Sequence, residues 1–120
     1  MSSLITNQRQ FGSITIVDLR GSIDLGEASL TLRRTIRDLV ESARTKIILN
    51  FSQVNSMDSA GVGELVGAYV PVMAKGGMLK FLNPTKKVLG LLQITQVDSV
   101  FEVYTDEQLA IRSFSEAVHA

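Results

Sequence analysis

Six residues near the middle of the chain, Lys46-Ile47-Ile48-Leu49-Asn50-Phe51, lack the apolar–polar alternation of a half-buried strand. A short continuous apolar run suits a central strand covered on both faces, as in sheets with helices laid over them. The flanking stretches agree. Leu4 to Gln10 reads as a short edge strand, Phe11-Gly12-Ser13 as a turn, and Ile14 to Arg20 as a second strand. These two form a hairpin, so this edge of the sheet is antiparallel. Apolar residues in the second strand shift from even to odd positions at Val17, which implies two partly buried faces or a bulge, with Gly21 compatible with either.

Helical spacing follows. Asp24-Leu25-Gly26-Glu27 fits a capping box, and Ala28, Leu32, Ile36, Leu39, Val40 and Ala43 recur as an inward stripe. Arg33, Arg34, Arg37, Asp38 and Glu41 occupy the other, solvated face. After the central strand, a helix opens near Ser59 and carries Val62, Leu65, Val66, Tyr69, Val72 and Met73, with Pro71 predicting a kink or an early stop. Gly76-Gly77 ends it. Met78 to Leu82 is the next strand, and Asn83-Pro84 reads as cap and first helical residue of a helix burying Val88, Leu91 and Leu92. Val100 to Tyr104 is a last short strand. Thr105-Asp106-Glu107-Gln108 then caps a terminal helix packed through Leu109, Ala110, Phe114, and Ala117 or Val118. The predicted order is β-β-α-β-α-β-α-β-α in one α/β domain, residues 1–120, with a mostly parallel sheet and right-handed crossovers.

Composition narrows the function. Twelve Lys+Arg balance twelve Asp+Glu, leaving no basic excess to hold nucleic acid or anionic lipid. The chain has no cysteine, and its single histidine, His119, stands next to the C-terminus, which argues against thiol chemistry, a His-based metal site and a catalytic triad. No stretch approaches the ~20 apolar residues of a membrane span, and the first residues lack an export pattern. The expectation is a cytoplasmic protein without metal or cofactor.

The chemistry concentrates in Val54 to Gly63, V-N-S-M-D-S-A-G-V-G, where a strand gives way to a helix. Functional loops gather at the carboxyl ends of strands in such sheets, and two acid-bearing loops leave such ends here, at Asp24 and at Asp58. Asp58 or Ser59 serving only as an N-cap, and Gly61 and Gly63 serving only helix–sheet packing, is one reading. In the other, the two glycines keep the turn bare so that a partner approaches closely. A nucleophilic serine lacks both the G-x-S-x-G glycines and a histidine base, and neither phosphate-loop pattern occurs. Modification of Ser59 remains. A phosphate adds about −1.5 to −2 charges, which a helix N-terminus tolerates and a docked partner does not.

Met57 to Gly63, M-D-S-A-G-V-G, resembles the signature of bacterial anti-sigma factor antagonists, the single-domain members of the STAS group. The similarity covers nearly the whole chain: Gly21-Ser22-Ile23-Asp24 resembles the family's G-x-(I/L)-D, and Gly76-Gly77-Met78-Leu79 and Asn83-Pro84 fall at its glycine pair, next strand and Pro-started helix. The resemblance implies a mixed sheet with helices mainly on one side and a binding role without catalysis. It implies an anti-sigma factor that is also a serine kinase as partner, phosphorylation of Ser59, and reversal by a PP2C-type phosphatase. Asp24, Asp58, Ser59, Ala60, Gly61, Val62 and Gly63 become the expected partner-binding residues. A weak homodimer is compatible with it. Ala60 stands where many members have a second Ser or Thr, leaving Ser59 the sole hydroxyl there; Val62 replaces a more frequent Leu, and Pro71 is unusual. The alternative is a STAS subunit of a lipid or anion transporter or of a larger signalling assembly.

Overall fold

A computed structural model describes residues 4–119, with side chains to residue 115. β1 (Leu4–Phe11) and β2 (Ile14–Ile23) form an antiparallel hairpin across Gly12 and Ser13. β2, β3 (Lys46–Met57), β4 (Met78–Leu82) and β5 (Val103–Tyr104) then pair in parallel, giving a five-stranded sheet in the order β1-β2-β3-β4-β5. The connections are α1 (Glu27–Glu41), α2 (Ser59–Ala74) and α3 (Lys86–Ile94), the last followed by a 3-10 turn at Val97–Ser99; α4 (Glu107–His119) ends the described chain. The architecture is a single α/β domain in the expected element order.

Strand periodicity divides the core in two. Val17, Leu19, Ile47, Leu49, Phe51 and Phe81 face α1, α2 and α3 through Leu32, Ile36, Leu65, Val72, Val88 and Leu92. Ile14, Ile16, Ile48 and Leu82 face α4 through Ala110 and Phe114. Three helices thus cover one side and one helix covers part of the other, which is why the central strand shows no alternation. Residues Ile14 to Val17 are all buried, and β2 shifts register against β3 between Asp18 and Arg20 and again between Gly21 and Ser22. Two buried faces and a bulged strand are therefore both present.

Several boundaries differ from the sequence expectation. β3 does not stop with the apolar run at Phe51; it runs to Met57, because the carboxyl half of β2 pairs with it up to Ile23↔Met57. Asp24 does not cap α1: Gly26 stands at the cap position, without a side-chain cap bond. Ala43 lies past the helix at φ 60 and is exposed. Pro71 causes no early stop. Its helix continues to Ala74, and Gly76 (φ 74) ends it while a Cβ on Gly77 would collide with Thr45.

Asn83 is left-handed (φ 51) and lies outside α3, whose cap is Thr85, accepting from Val88 N at 3.3 Å and donating to Val54 O at 3.3 Å. The last strand is only Val103–Tyr104, since Val97–Val100 is taken up by the 3-10 turn and its bonds. Asp106, not Thr105, caps α4, accepting from Gln108 N and Leu109 N at 2.8 and 3.2 Å. Leu109 is half exposed on that helix, and the side chains of Ala117, Val118 and His119 lie outside those described.

Candidate functional site

The carboxyl ends of β2 and β3 lie side by side, and Asp58 joins what leaves them. Its backbone N–H donates to Ile23 O at 3.2 Å, the last carbonyl of β2. One carboxylate oxygen accepts from Gly61 N at 3.0 Å, which is the cap of α2, and the other accepts from Leu25 N at 3.1 Å in the loop ahead of α1. The loop that carries Asp24 is therefore tied to the turn that carries Ser59. The two backbone donors, Gly61 first and Leu25 second, hold the Asp58 carboxyl below the usual carboxylate range. Below this turn Ser56 Oγ donates to Ser22 Oγ at 3.0 Å, a further link between the strand ends.

Ser59 is the first residue of α2 and is exposed. Among the described residues no side chain is hydrogen-bonded to its hydroxyl. Asp58 precedes it, but both carboxylate oxygens are directed to backbone N–H groups. The seven residues singled out from sequence separate by exposure. Asp24 and Ala60 are half-buried, and Asp58, Ser59 and Gly63 are exposed. Gly61 and Val62 face inward, Val62 at 6% exposure. Gly61 has an internal reason to be bare: a Cβ there would collide with the Ile23 carbonyl and lie 2.6 Å from Met57 Cγ. Gly63 is the opposite case, with nothing within 4 Å of an added Cβ.

Ser59 heads a stripe that sequence spacing misassigned. Val66 and Met73, placed inward from their spacing, are 43% and 39% exposed, and Val70 is 64% exposed. With Gly63 they repeat every three or four residues below Ser59, so all five share one face of α2. Leu25, 79% exposed, adds an apolar side chain on the tethered loop. The available signal was the composition of α2, apolar on more sides than one buried face requires. Beside the stripe a groove of about 560 Å³ runs between α1 and α2, floored by Ile36, Ala68 and Pro71 and crossed by the Arg33 Nε to Glu64 Oε1 bond of 3.0 Å. No group of three or more His, Cys, Asp or Glu among the described residues could hold a metal ion, and no described helix is long and apolar enough to cross a membrane.

Comparison with known proteins agrees with this fold. The chain is similar to the anti-sigma-B factor antagonist of Bacillus subtilis, 29% identical over 87 residues covering 72% of this chain and 78% of that protein. Among solved structures, the anti-sigma factor antagonist SpoIIAA in its unphosphorylated form superposes with a TM-score of 0.81 at 25% identity, covering 93% of this chain and 97% of that one. The phosphorylated form of SpoIIAA, a Bacillus cell fate determinant, superposes at 0.72 with 24% identity, covering 92% and 99%. The STAS domain model matches residues 6–110, which spans the sheet, the first three helices and the start of α4, and the chain belongs to the STAS domain family.

Proposed function

We propose that the chain is an anti-sigma factor antagonist that works as a phosphorylation-controlled binding module rather than as an enzyme. In this reading it holds an anti-sigma factor serine kinase while Ser59 is unmodified and releases it once Ser59 carries a phosphate. A PP2C-type phosphatase restores the binding form, and the cycle runs in the cytoplasm. The observation that carries the reading is the exposed, unpaired Ser59 hydroxyl at the head of a helix capped by Asp58. The relatives named as anti-sigma factor antagonists support the role, and the two forms of SpoIIAA support the modification.

The physics of such a switch is local. A phosphate on Ser59 adds about −1.5 to −2 charges at a helix N-terminus, where each unit is favoured by ~0.3–1 kcal/mol. The fold therefore has little reason to move. A partner seated on Leu25, Ser59, Gly63, Val66 and Val70 would meet new bulk and charge at the end of an otherwise apolar contact. Asp24, Asp58 and Ala60 border that contact, while Gly61 and Val62 act by positioning it. A permanently assembled transporter subunit would not need an exposed hydroxyl at this position.

Incubation with candidate anti-sigma factor kinases and ATP, followed by mass spectrometry, is expected to place one phosphate on Ser59. In titration calorimetry with that kinase, Ser59→Asp is expected to lose about a hundredfold in affinity, ~2.7 kcal/mol, while Ser59→Ala binds and is not released by ATP. Equal affinity of the two variants would rule out the switch.

A further inference from the structure

Among the described residues β1 is the outermost strand and its only strand partner is β2, in an unbroken register from Leu4↔Gly21 to Phe11↔Ile14. Across a two-residue turn the closing pair exchanges both backbone bonds. Ile5, Asn7, Arg9 and Phe11 consequently direct their N–H and C=O groups to β2, and Thr6, Gln8 and Gln10 direct theirs to the open edge. Edge strands are commonly protected by Pro, charged side chains, a bulge or brevity. β1 has eight residues, and of those devices it carries only a charge. Its one charge, Arg9, is turned onto the sheet and held by Asp18 and Glu107, each at 2.7 Å. Ile5 and Phe11 stand 55% and 42% exposed, three residues either side of Gln8.

We infer that β1 is a self-pairing edge whose occupant is β1 of a second copy of this chain, antiparallel about a two-fold axis at Gln8. The hydrogen-bond parity and the side chains select this register together. Outward-facing groups must meet outward-facing groups, so Gln8 lies opposite Gln8 of the second copy and Thr6 opposite Gln10, giving about six N–H···O bonds. Ile5 then falls opposite Phe11 in a non-hydrogen-bonded pair, the closer kind at ~4.5 Å between Cα atoms, and each exposed apolar side chain covers the other. Sliding by two residues sets Ile5 against Arg9, or Arg9 against Arg9 of the second copy. One strand buries less than the ~1,200 Å² of a stable interface, so the dimer is weak and concentration-dependent. The axis stands perpendicular to the sheet, which leaves the two Ser59 turns open at opposite ends and makes the inference independent of what those turns bind.

The chain contains no cysteine, so one introduced thiol reports one geometry. In this register the Cα atoms of a Gln8→Cys pair lie ~5.5 Å apart, within disulfide reach, whereas those of a Thr6→Cys pair lie over ~10 Å apart. Under mild oxidation Q8C is expected to form a covalent dimer on the order of tenfold faster than T6C. In sedimentation velocity the unsubstituted chain is expected to gain mass with concentration, and Ile5→Lys to remain monomeric with an unchanged circular dichroism spectrum. Gln8→Pro removes only an outward N–H and should also remain monomeric. Equal cross-linking of Q8C and T6C, or a monomeric mass at millimolar concentration, would overturn the inference.

Discussion

A Cβ on Gly61 would collide with the Ile23 carbonyl, while a Cβ on Gly63 would touch nothing. Two glycines one residue apart therefore predict opposite outcomes. Gly61→Ala must push α2 off the end of β2 and should destabilise by about 1–3 kcal/mol or more. Gly63→Ala should stabilise by about 1 kcal/mol through helix propensity, while weakening partner binding because the new methyl stands on the exposed stripe. Urea denaturation of the two variants separates them. Asp58 adds a pH dependence at the same scale. Its carboxyl is depressed by the Gly61 and Leu25 N–H groups, so its contribution is complete above the ordinary carboxylate value and is lost as pH falls through the folded one. At Asp18 burial pushes the carboxyl up, but hydrogen bonds from Arg9 and Asn50 and the Arg9 charge outweigh it, and the net shift is downward. Both groups give a melting temperature that holds near neutrality and falls below about pH 4. Asp58→Asn should make that acid decline shallower.

At the scale of elements, α4 is held to its side of the sheet by a mixture of apolar and polar contacts. Lys80, 1% exposed on β4, donates to Ser113 Oγ at 2.8 Å, and Ser113 in turn donates to Ala110 O at 2.6 Å. The ammonium also lies 4.5 Å from the Phe114 ring centre and 3.5 Å from Glu102. Arg9 ties β1 and β2 to the first residue of α4 through Glu107. Removing the partner of a buried charge is worse than removing the charge itself when what it leaves stays satisfied, as Ser113 does through Ala110 O and the exposed Glu102 does in water. Ser113→Ala should therefore lower stability by about 1–3 kcal/mol, whereas Lys80→Met, of similar volume, should be close to neutral, as thermal melts of both would show. α2 offers a second test. Pro71 removes one backbone bond from a helix that nonetheless continues to Ala74, so Pro71→Ala should raise the melting temperature.

For the whole molecule, the arrangement separates the exposed Ser59 from the part that holds the fold. Ser59 lies outside both buried clusters, while Asp58 one residue earlier joins β2, the loop before α1 and α2. A charge at Ser59 should therefore alter docking without altering folding: Ser59→Asp is expected to melt within a few degrees of the unsubstituted chain. Asp58→Ala should both destabilise, by about 1 kcal/mol as a lost cap, and loosen the Asp24 loop, which hydrogen exchange at Leu25 would register.

What the sequence determined by itself was local: the order of strands and helices, the unalternated β3, the turn at Asp58, and Ser59 as the hydroxyl beside it. Periodicity and caps act over a few residues, so they can be read without knowing what lies across the sheet. Tertiary structure decided the rest. The run from Val54 to Met57 looks like a loop until β2 supplies its partner. Asp24 looks like a cap until Gly26 takes the position and Asp58 takes the Leu25 N–H instead. Val66 and Met73 look inward until Val62, Leu65, Ala68 and Val72 fill the space under α2. In each case the deciding atom comes from a segment distant in sequence, and only the folded chain brings it within reach.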